Sequence, residues 1–570
     1  MHLSADSEGS SKTELVPGPP PPALAQPVTL YHWLVVILAA CGWLFDCMGQ
    51  RIFVLSREPA LRELLGAAAS DDDVTWWGGV ATMVLMFGWA TGGIVFGLLS
   101  DRYGRVRAMV STLLAYTVFS GLSGFAQSAI AFLLWRLLFG IGVGGMFGAA
   151  TTLVAESVPP RVRAVALGLM QSLSSLGTML ASWLSLGITP GRENYWGHFS
   201  GWQVLCFAGV VPAVLAVPMV LLLKEPETWK RAKAEAAASA NAKSVGSLAD
   251  LFRHPRWRRH LLVGVCLGIA GMVGLWGIAF FSPELITKAF KNHPLRPIDV
   301  LQPAELCAAL KNPAHPAIAS LKARLTPQVV SSLAQAPASA AVPAATREAV
   351  VADLNRLIQT ETLYDAEAFR TLNLKKSTRN LIQVAERTGE REDVVFLNRQ
   401  LVEQAFPGTI RELQRTIDRT RSRGTMLQDV GAVLGMLTFT VAAGFFSRRA
   451  AFCGAFSVCL VVVAFVFASL RSAADVNWML PLMGFATLSA FAGYSIYFPE
   501  LFPTRLRGTG VGFCYNTVRY LAAPFPFLLG WLSTMMPFRT VAVLMCGIYL
   551  VGIVALLWAP ETKGQPLPED

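Results

Sequence analysis

Charge is scarce in this chain. Asp, Glu, Lys and Arg make up 15% of its 570 residues, while 53% are hydrophobic. Soluble domains carry about 25% charged residues, so a water-facing globule is excluded as the main architecture. Paired cysteine motifs are missing too. Eight of the nine cysteines sit in apolar runs, Cys307 stands alone in a polar stretch, and no CxxC occurs. Neither a metal site nor a disulfide framework is expected from that pattern. There is no phosphate-binding loop of the Walker type and no evident nucleophile–base set. An enzyme is therefore not expected, nor is a resident cofactor or metal. No cleavable signal peptide is expected either; residues 1–30, which include VPGPPPPALAQP, read as a disordered tail.

Long apolar runs fill the rest. A helix needs roughly 20 apolar residues to cross a bilayer. Twelve segments meet that length: 31–54, 75–99, 107–128, 130–154, 164–188, 203–223, 261–285, 427–446, 450–470, 477–498, 510–532 and 539–558. The expected class is an all-α integral membrane protein with twelve transmembrane helices. The net charge of +11 is not read as a nucleic-acid footprint, because the basic residues cluster in short segments between apolar runs. Lys and Arg in short loops mark the cytoplasmic side. Arg102, Arg105, Arg107, Arg161, Arg163, Arg448, Arg449, Arg505 and Arg507 all fall on one side of the expected topology, as does the basic segment 224–260. Both termini are expected inside, in a bacterial inner membrane.

Residues 287–425 interrupt the series on the outer side. Long segments translocate largely regardless of charge, so the basic residues there do not break the rule. Val350, Leu354 and Leu357 share one helical face, and so do Ile410, Leu413 and Ile417. The segment reads as a small helical extracytoplasmic insert with a linker-like middle, LAQAPASAAVPAAT. It is expected to be a structural cap, with ligand capture as the alternative.

The chain repeats itself. Glu156-x-x-Pro159-x-Arg161-x-Arg163 recurs as Glu500-x-x-Pro503-x-Arg505-x-Arg507, and Gly168 and Gly512 fall at the same offset. A further echo pairs Pro226-Glu227-Thr228 with Pro560-Glu561-Thr562. Six spans per half is an even number, so the halves insert in the same sense as a parallel repeat, with a substrate site between them near the midplane. The expected organisation is an N-terminal six-helix bundle at 31–223, a linker at 224–260, a seventh helix at 261–286, the insert, helices eight to twelve at 426–559, and a short tail at 560–570.

The segment GLLSDRYGRVR at 97–107, together with the repeat, resembles the signature of the major facilitator superfamily of secondary transporters. Gly97, Asp101, Arg102, Gly104 and Arg105 fit that motif, and a second copy at GFFSRRA is degraded, with Ser447 where the acid would be. The resemblance implies a latch that closes the cytoplasmic side. Gly97, Asp101, Arg102, Gly104, Arg105, Glu156, Arg161, Glu500 and Arg505 would be gating residues; the plainer alternative is charges that only set topology. Arg136 in RLLFGIGVGG resembles the family's fourth-span motif, which is linked to proton coupling. The fifth span lacks the Gly-Pro pair typical of drug–proton antiporters.

The candidate pathway lies in two spans. Trp43, Asp46 and Gln50 share a face of the first, in CGWLFDCMGQRIF. A carboxylate in an apolar run is costly to keep charged, which suits a proton carrier. This stretch resembles the first span of organic-acid–proton symporters, although those often have a second acid where Gly49 or Gln50 stands here. Asn516 and Arg519, three residues apart in the eleventh span, place a cation too deep to snorkel easily; a substrate carboxylate or Asp46 would balance it. Trp276, Phe280, Tyr494 and Tyr497 are pocket or packing candidates, and Glu284 stands near the outer end of span seven.

The expected function is proton-coupled symport of a small organic acid or similar metabolite, driven by the proton gradient. The expected partners are a small-molecule substrate and the lipid bilayer, with no nucleic acid, and the unit is a monomer. The tail PETKGQPLPED resembles sugar porters, which keeps a sugar or polyol porter of the same fold as the alternative. Span seven lacks the paired glutamines and the asparagine expected for hydroxyl recognition. A transporter-like receptor using the outer insert is a further alternative.

Overall fold

The computed structural model describes residues 27–569 apart from 67–68, 70, 189–194, 196, 239–244, 280–281, 283–284, 287–288, 290–302, 336–342, 371, 373, 375, 407–410 and 533–534. The N-terminal tail, Phe280, Glu284 and Ile410 therefore lie outside the described residues, as do the side chains of Leu413 and Ile417. Eleven helices among the described residues are long and apolar enough to cross a membrane. In chain order they are Leu30–Leu65, Trp76–Tyr103, Arg105–Ser123, Ala129–Ser157, Pro160–Gly187, Gly201–Leu222, Pro255–Ile278, Thr420–Phe445, Arg448–Ser469, Ala474–Leu501 and Phe538–Ala555. The protein is an all-α membrane protein. The remaining expected span, between Leu501 and Phe538, is built from three successive helices, Arg507–Asn516, Val518–Ala522 and Phe525–Leu532. It is counted below as span eleven, and Phe538–Ala555 as span twelve.

Local chemistry explains where spans start and break. Pro160 and Pro255 sit in the first turn of spans five and seven, where a missing N–H costs nothing. Ser128 and Ser447 cap spans four and nine by accepting hydrogen bonds from the amides of Ala131 and Ala450, at 3.2 and 3.0 Å. Pro212 breaks the sixth span into two α-helices joined by a 3₁₀ turn. The fifth and eleventh spans break at Leu173 and Thr517. Those two positions are related by the same offset as Glu156 and Glu500, so the internal repeat extends from sequence to helix geometry.

Glycine lets the spans approach. A Cβ on Gly92 would lie 2.0 Å from the carbonyl oxygen of Ile141, and one on Gly144 would lie 2.1 Å from that of Trp89. Spans two and four therefore meet backbone to backbone. Spans eight and ten meet the same way in the second half, with Gly431 against the Pro481 carbonyl and Gly484 against that of Gln428, both at 1.9 Å. Without a hydrophobic drive between helices in lipid, such close van der Waals contact is what holds them. The halves meet through span two against span eleven: Gly93, Gly97, Gly508 and Gly512 bring the two backbones together.

The described part of the insert has its own core. Val350, Leu354 and Leu357, on the face expected from sequence, are buried with Leu310, Leu321, Leu397 and Leu401. Asn398 ties this core, donating to the carbonyls of Ile358 and Glu361 and accepting from the Leu363 amide. The insert is anchored to the C-terminal half by Arg539, which donates to Glu392 Oε1 at 2.8 Å and to the carbonyls of Phe467 and Leu470.

Candidate functional site

Span one is a continuous helix that carries Trp43, Asp46 and Gln50 into the protein interior. Asp46 is fully buried. Its Oδ2 accepts a hydrogen bond from Gln50 Nε2 at 2.9 Å, and its Oδ1 has no partner. Trp43 is buried with its indole N–H also unpartnered, its ring against Phe147 and Tyr515.

The break at Thr517 shapes the other wall. Arg519 is 1% exposed. One guanidinium nitrogen donates to the Tyr515 carbonyl at 2.6 Å and to Asn516 Oδ1 at 2.8 Å. Asn516 is held in turn by its amide donating to the Gly512 carbonyl. Gly93 of span two leaves room for it, since a Cβ there would lie 2.0 Å from the Asn516 amide carbon. The guanidinium carbon stands 3.9 Å from the Trp89 ring centre and 4.6 Å from that of Tyr515. Each such contact contributes about 2 kcal/mol when desolvated. Arg519 Nε and the Trp89 indole N–H have no partner, and among the described residues neither Arg519 nor Asp46 is in an ion pair. One cation and one carboxylate thus face the same interior, each with hydrogen-bonding capacity unused. Buried polar groups are normally satisfied, so this concentration singles the region out as the candidate site.

The other pathway residues divide. Trp276, in a π-helical turn at Gly274–Ile278, meets Trp89 edge-on at 6.0 Å, which joins it to the Arg519 wall. Tyr494 packs edge-on to Tyr515, but its hydroxyl donates to the Leu267 carbonyl at 2.7 Å and is not free for a solute. The Tyr497 hydroxyl donates to the Pro560 carbonyl. Arg136 does not join this group. It is fully buried inside the N-terminal half, ringed by Phe53, Phe132 and Phe139, with one nitrogen 3.0 Å from Cys206 Sγ.

A polar lock closes one end of the interface. Asp101 Oδ1 accepts from the Gly508 amide and Oδ2 from the Thr509 amide and hydroxyl, at 2.9, 2.8 and 2.6 Å. The acid of span two thus caps the start of span eleven, where helix N–H groups are free and the dipole favours negative charge. Arg105 bridges Asp101 and Glu156, making two bonds to the latter at 3.0 and 2.9 Å. Arg507, from the other half, donates to Glu156 at 2.6 Å. Gly104 has φ +123, and a Cβ there would strike Glu225, so only glycine suits this turn. The linker seals the arrangement: Arg102 donates to the Gly246 carbonyl, Arg505 pairs with Asp250 at 2.7 Å, and Trp229 donates to the Asp101 carbonyl.

Three sequence expectations need adjustment. Arg161 is exposed and in no ion pair among the described residues; Arg507 takes the partner role at Glu156. Glu500 does not cross between halves but pairs with Arg448, mirroring Arg105 with Glu156. The echo at 226–228 is shifted by two residues in space: Glu225, not Glu227, accepts from the Arg105 and Arg107 amides, as Glu561 does from Arg448 and Arg449. Sequence reasoning also missed the tie at the opposite end of the interface, where Arg51 of span one meets Asp429 of span eight at 2.9 Å and Thr178 of span five donates to the same carboxylate. Charged residues near the ends of apolar runs gave the only signal for it.

Comparison with known proteins agrees with this architecture. The family model described as Major Facilitator Superfamily matches residues 33–341. The chain is 30% identical over 255 residues to a "Probable 4-methylmuconolactone transporter" of Cupriavidus pinatubonensis, covering 43% of this chain and 54% of the relative. It is 27% identical over 199 residues to a "Cis,cis-muconate transport protein" of Acinetobacter baylyi, covering 35% and 46%. The matches span from about three tenths to three fifths of the length of the curated relatives. The solved structure of the E. coli fucose:proton symporter superimposes with a TM-score of 0.53 at 12% identity, covering 92% of this chain and 98% of that one, a likeness of fold alone. With more than half its length matched by the family model, and with two six-span halves joined by the lock just described, the chain belongs to the Major Facilitator Superfamily.

Proposed function

We propose that the protein is a secondary active transporter that moves a small organic acid across the membrane by alternating access, in symport with a proton. The observation that carries this reading is the state of Arg519: a buried guanidinium held by two aromatic rings and two neutral oxygens, with no carboxylate in ion-pair reach among the described residues. An unpaired buried cation is costly, and a substrate carboxylate offsets that cost by taking the unused Nε. Asp46, with one oxygen free, is the proton carrier of the scheme: a proton neutralises it while the substrate neutralises Arg519. The relatives' names, which speak of a muconolactone and of muconate, fit a carboxylate or its lactone.

The protein acts as a monomer in a bacterial inner membrane, with both termini cytoplasmic and the insert outside. It performs transport rather than covalent chemistry, with the proton gradient as its only energy source and no cofactor. The lock at Asp101, Arg105, Glu156 and Arg507 is its inner gate, and the pair Arg51–Asp429 its outer one. Reconstitution tests this. An inward proton gradient is expected to accumulate cis,cis-muconate or a related acid in wild-type vesicles and not in Arg519→Ala vesicles. Accumulation of a neutral polyol with no carboxylate uptake would overturn the reading in favour of a polyol porter.

A further inference from the structure

On the outer wall of the C-terminal half, spans seven and twelve frame a groove of about 700 Å³. One end of it is basic. Arg258 and Arg259, both exposed, stand in the first turn of span seven. Arg259 donates through Nε to the carbonyl of Trp558 at 3.2 Å, which bridges the two spans at the rim. Neither arginine is in an ion pair among the described residues, and no acidic residue lines the groove. The walls below are apolar: Leu262, Leu550 and Val554 are each about half exposed along it. From Arg258 to Cys266, which also lines it, the helix descends roughly 12 Å at 1.5 Å per residue. Trp558, itself half exposed, sits at the depth of the arginines, where an indole suits a membrane interface.

We propose that this groove is a binding site for one anionic glycerophospholipid, with the phosphate on Arg258 and Arg259 and an acyl chain along Leu262, Leu550 and Val554. Charge complementarity selects the ligand. A basic pocket between transmembrane helices, opening at the headgroup level above an apolar cleft, recognises an anionic headgroup and a hydrocarbon tail together. A free phosphate would leave the apolar wall unused, and a zwitterionic lipid would gain little from two cations without an acid beside them. Because Arg258 lies only eight residues after Asp250, the partner of Arg505, a lipid here would also buttress the linker at the lock.

The test uses the full chain extracted from vesicles of mixed phosphatidylglycerol and phosphatidylcholine, with retained lipid counted by native mass spectrometry. Wild type is expected to retain one phosphatidylglycerol in preference to phosphatidylcholine. Arg258→Ala and Arg259→Ala should each lower that preference about five-fold, the worth of one basic residue at an anionic surface. Leu262→Trp, which fills the cleft, should abolish retention while leaving the arginines in place. Arg253→Ala, an exposed arginine outside the groove, should change nothing. Equal retention of the two lipids, or unchanged preference in Arg258→Ala/Arg259→Ala, overturns the proposal. So does full displacement by glycerol phosphate, which would mean a headgroup-only anion site, or a dimer lost on Leu262→Trp, which would make the groove a protein interface.

Discussion

The Arg51 guanidinium lies 2.9 Å from the Asp429 carboxylate and ties span one to span eight across the interface between the halves. Asp46 lies on the same helix as Arg51, closer to its N-terminus. Both ends of the interface are therefore held by charge in one conformation. On the proposed alternating-access reading one set breaks while the other holds, so the two sets define what access costs.

Loss of the tie should open its end. In Asp429→Asn, Arg51 keeps a neutral partner but not a charged one, and Thr178 loses a carboxylate acceptor. We expect Cys47, buried one residue from Asp46, to react several-fold faster with a membrane-impermeant maleimide added from the tie side. Arg51→Ala should do the same, and the double variant should show a coupling of about 0.5–3 kcal/mol in stability, as contacting residues do. Unchanged labelling in both single variants would show that the pair does not gate.

Glu156 is the hinge of the lock, because one carboxylate serves Arg105 from its own half and Arg507 from the other. Glu156→Gln leaves the buried Arg507 guanidinium without a charged partner and leaves Arg105 only Asp101. Breaking a buried pair costs about 3–5 kcal/mol, so a large fall in the thermal midpoint in detergent is expected. The mirror variant Glu500→Gln should cost stability through Arg448 and Thr562, both in its own half, without loosening the halves. Exchange of the Gly508 and Thr509 amides, which donate to Asp101 across the halves, reads the difference: it should speed up in Glu156→Gln and stay slow in Glu500→Gln.

Arg519 can be separated into charge and shape. Lys at 519 keeps a cation but cannot lie flat between Trp89 and Tyr515 or offer a planar fork. We expect Arg519→Lys to weaken substrate binding by about 10- to 100-fold, since hydrogen bonds to charged groups contribute about 1.5–3 kcal/mol. Trp89→Leu, with the arginine intact, should give a smaller loss. Equal affinity for an acid in wild type and Arg519→Lys, by equilibrium binding to purified protein, would remove Arg519 from the site.

Much of this was legible in the sequence. Apolar length alone placed the spans, because a bilayer admits little besides helices of about 20 residues, and the ESVPPRVR and ELFPTRLR echo revealed two halves. Asp46 and Arg519 stood out because a charge in an apolar run is rarely idle. What pattern could not show was pairing across the halves. Arg161 and Arg505 look alike in the repeat, yet one is exposed and the other pairs with Asp250. Glu225 and Glu561 share a job from positions the text misaligns by two residues. Arg136 reads like Arg519 in one dimension, but three phenylalanine rings enclose it within a single bundle. Asp429 escaped notice because its partner is far off in the chain.

The insert carries a pH-sensitive bond of its own. Burial pushes the Asp353 carboxyl up, but the Thr326 amide at 2.6 Å and the Arg356 guanidinium at 2.7 Å outweigh it and hold the group below the usual carboxylate range. A carboxylate whose folded pKa is depressed contributes stability above its unfolded value of about 3.9, and that contribution is lost as pH falls through the folded pKa. The Thr326 amide opens the helix Pro327–Gln335, so the bond joins it to the helix Ala344–Thr360. Amide hydrogen exchange across residues 325–335, corrected for intrinsic rates, should therefore be slow and flat from pH 7 to 5 in the wild type and faster throughout in Asp353→Asn. Only once pH falls through the depressed folded pKa, below the usual carboxylate range, should the two proteins converge, because protonated Asp353 no longer offers Arg356 a charge. If the variant instead matches the wild type at neutral pH, the carboxylate does not hold these helices together.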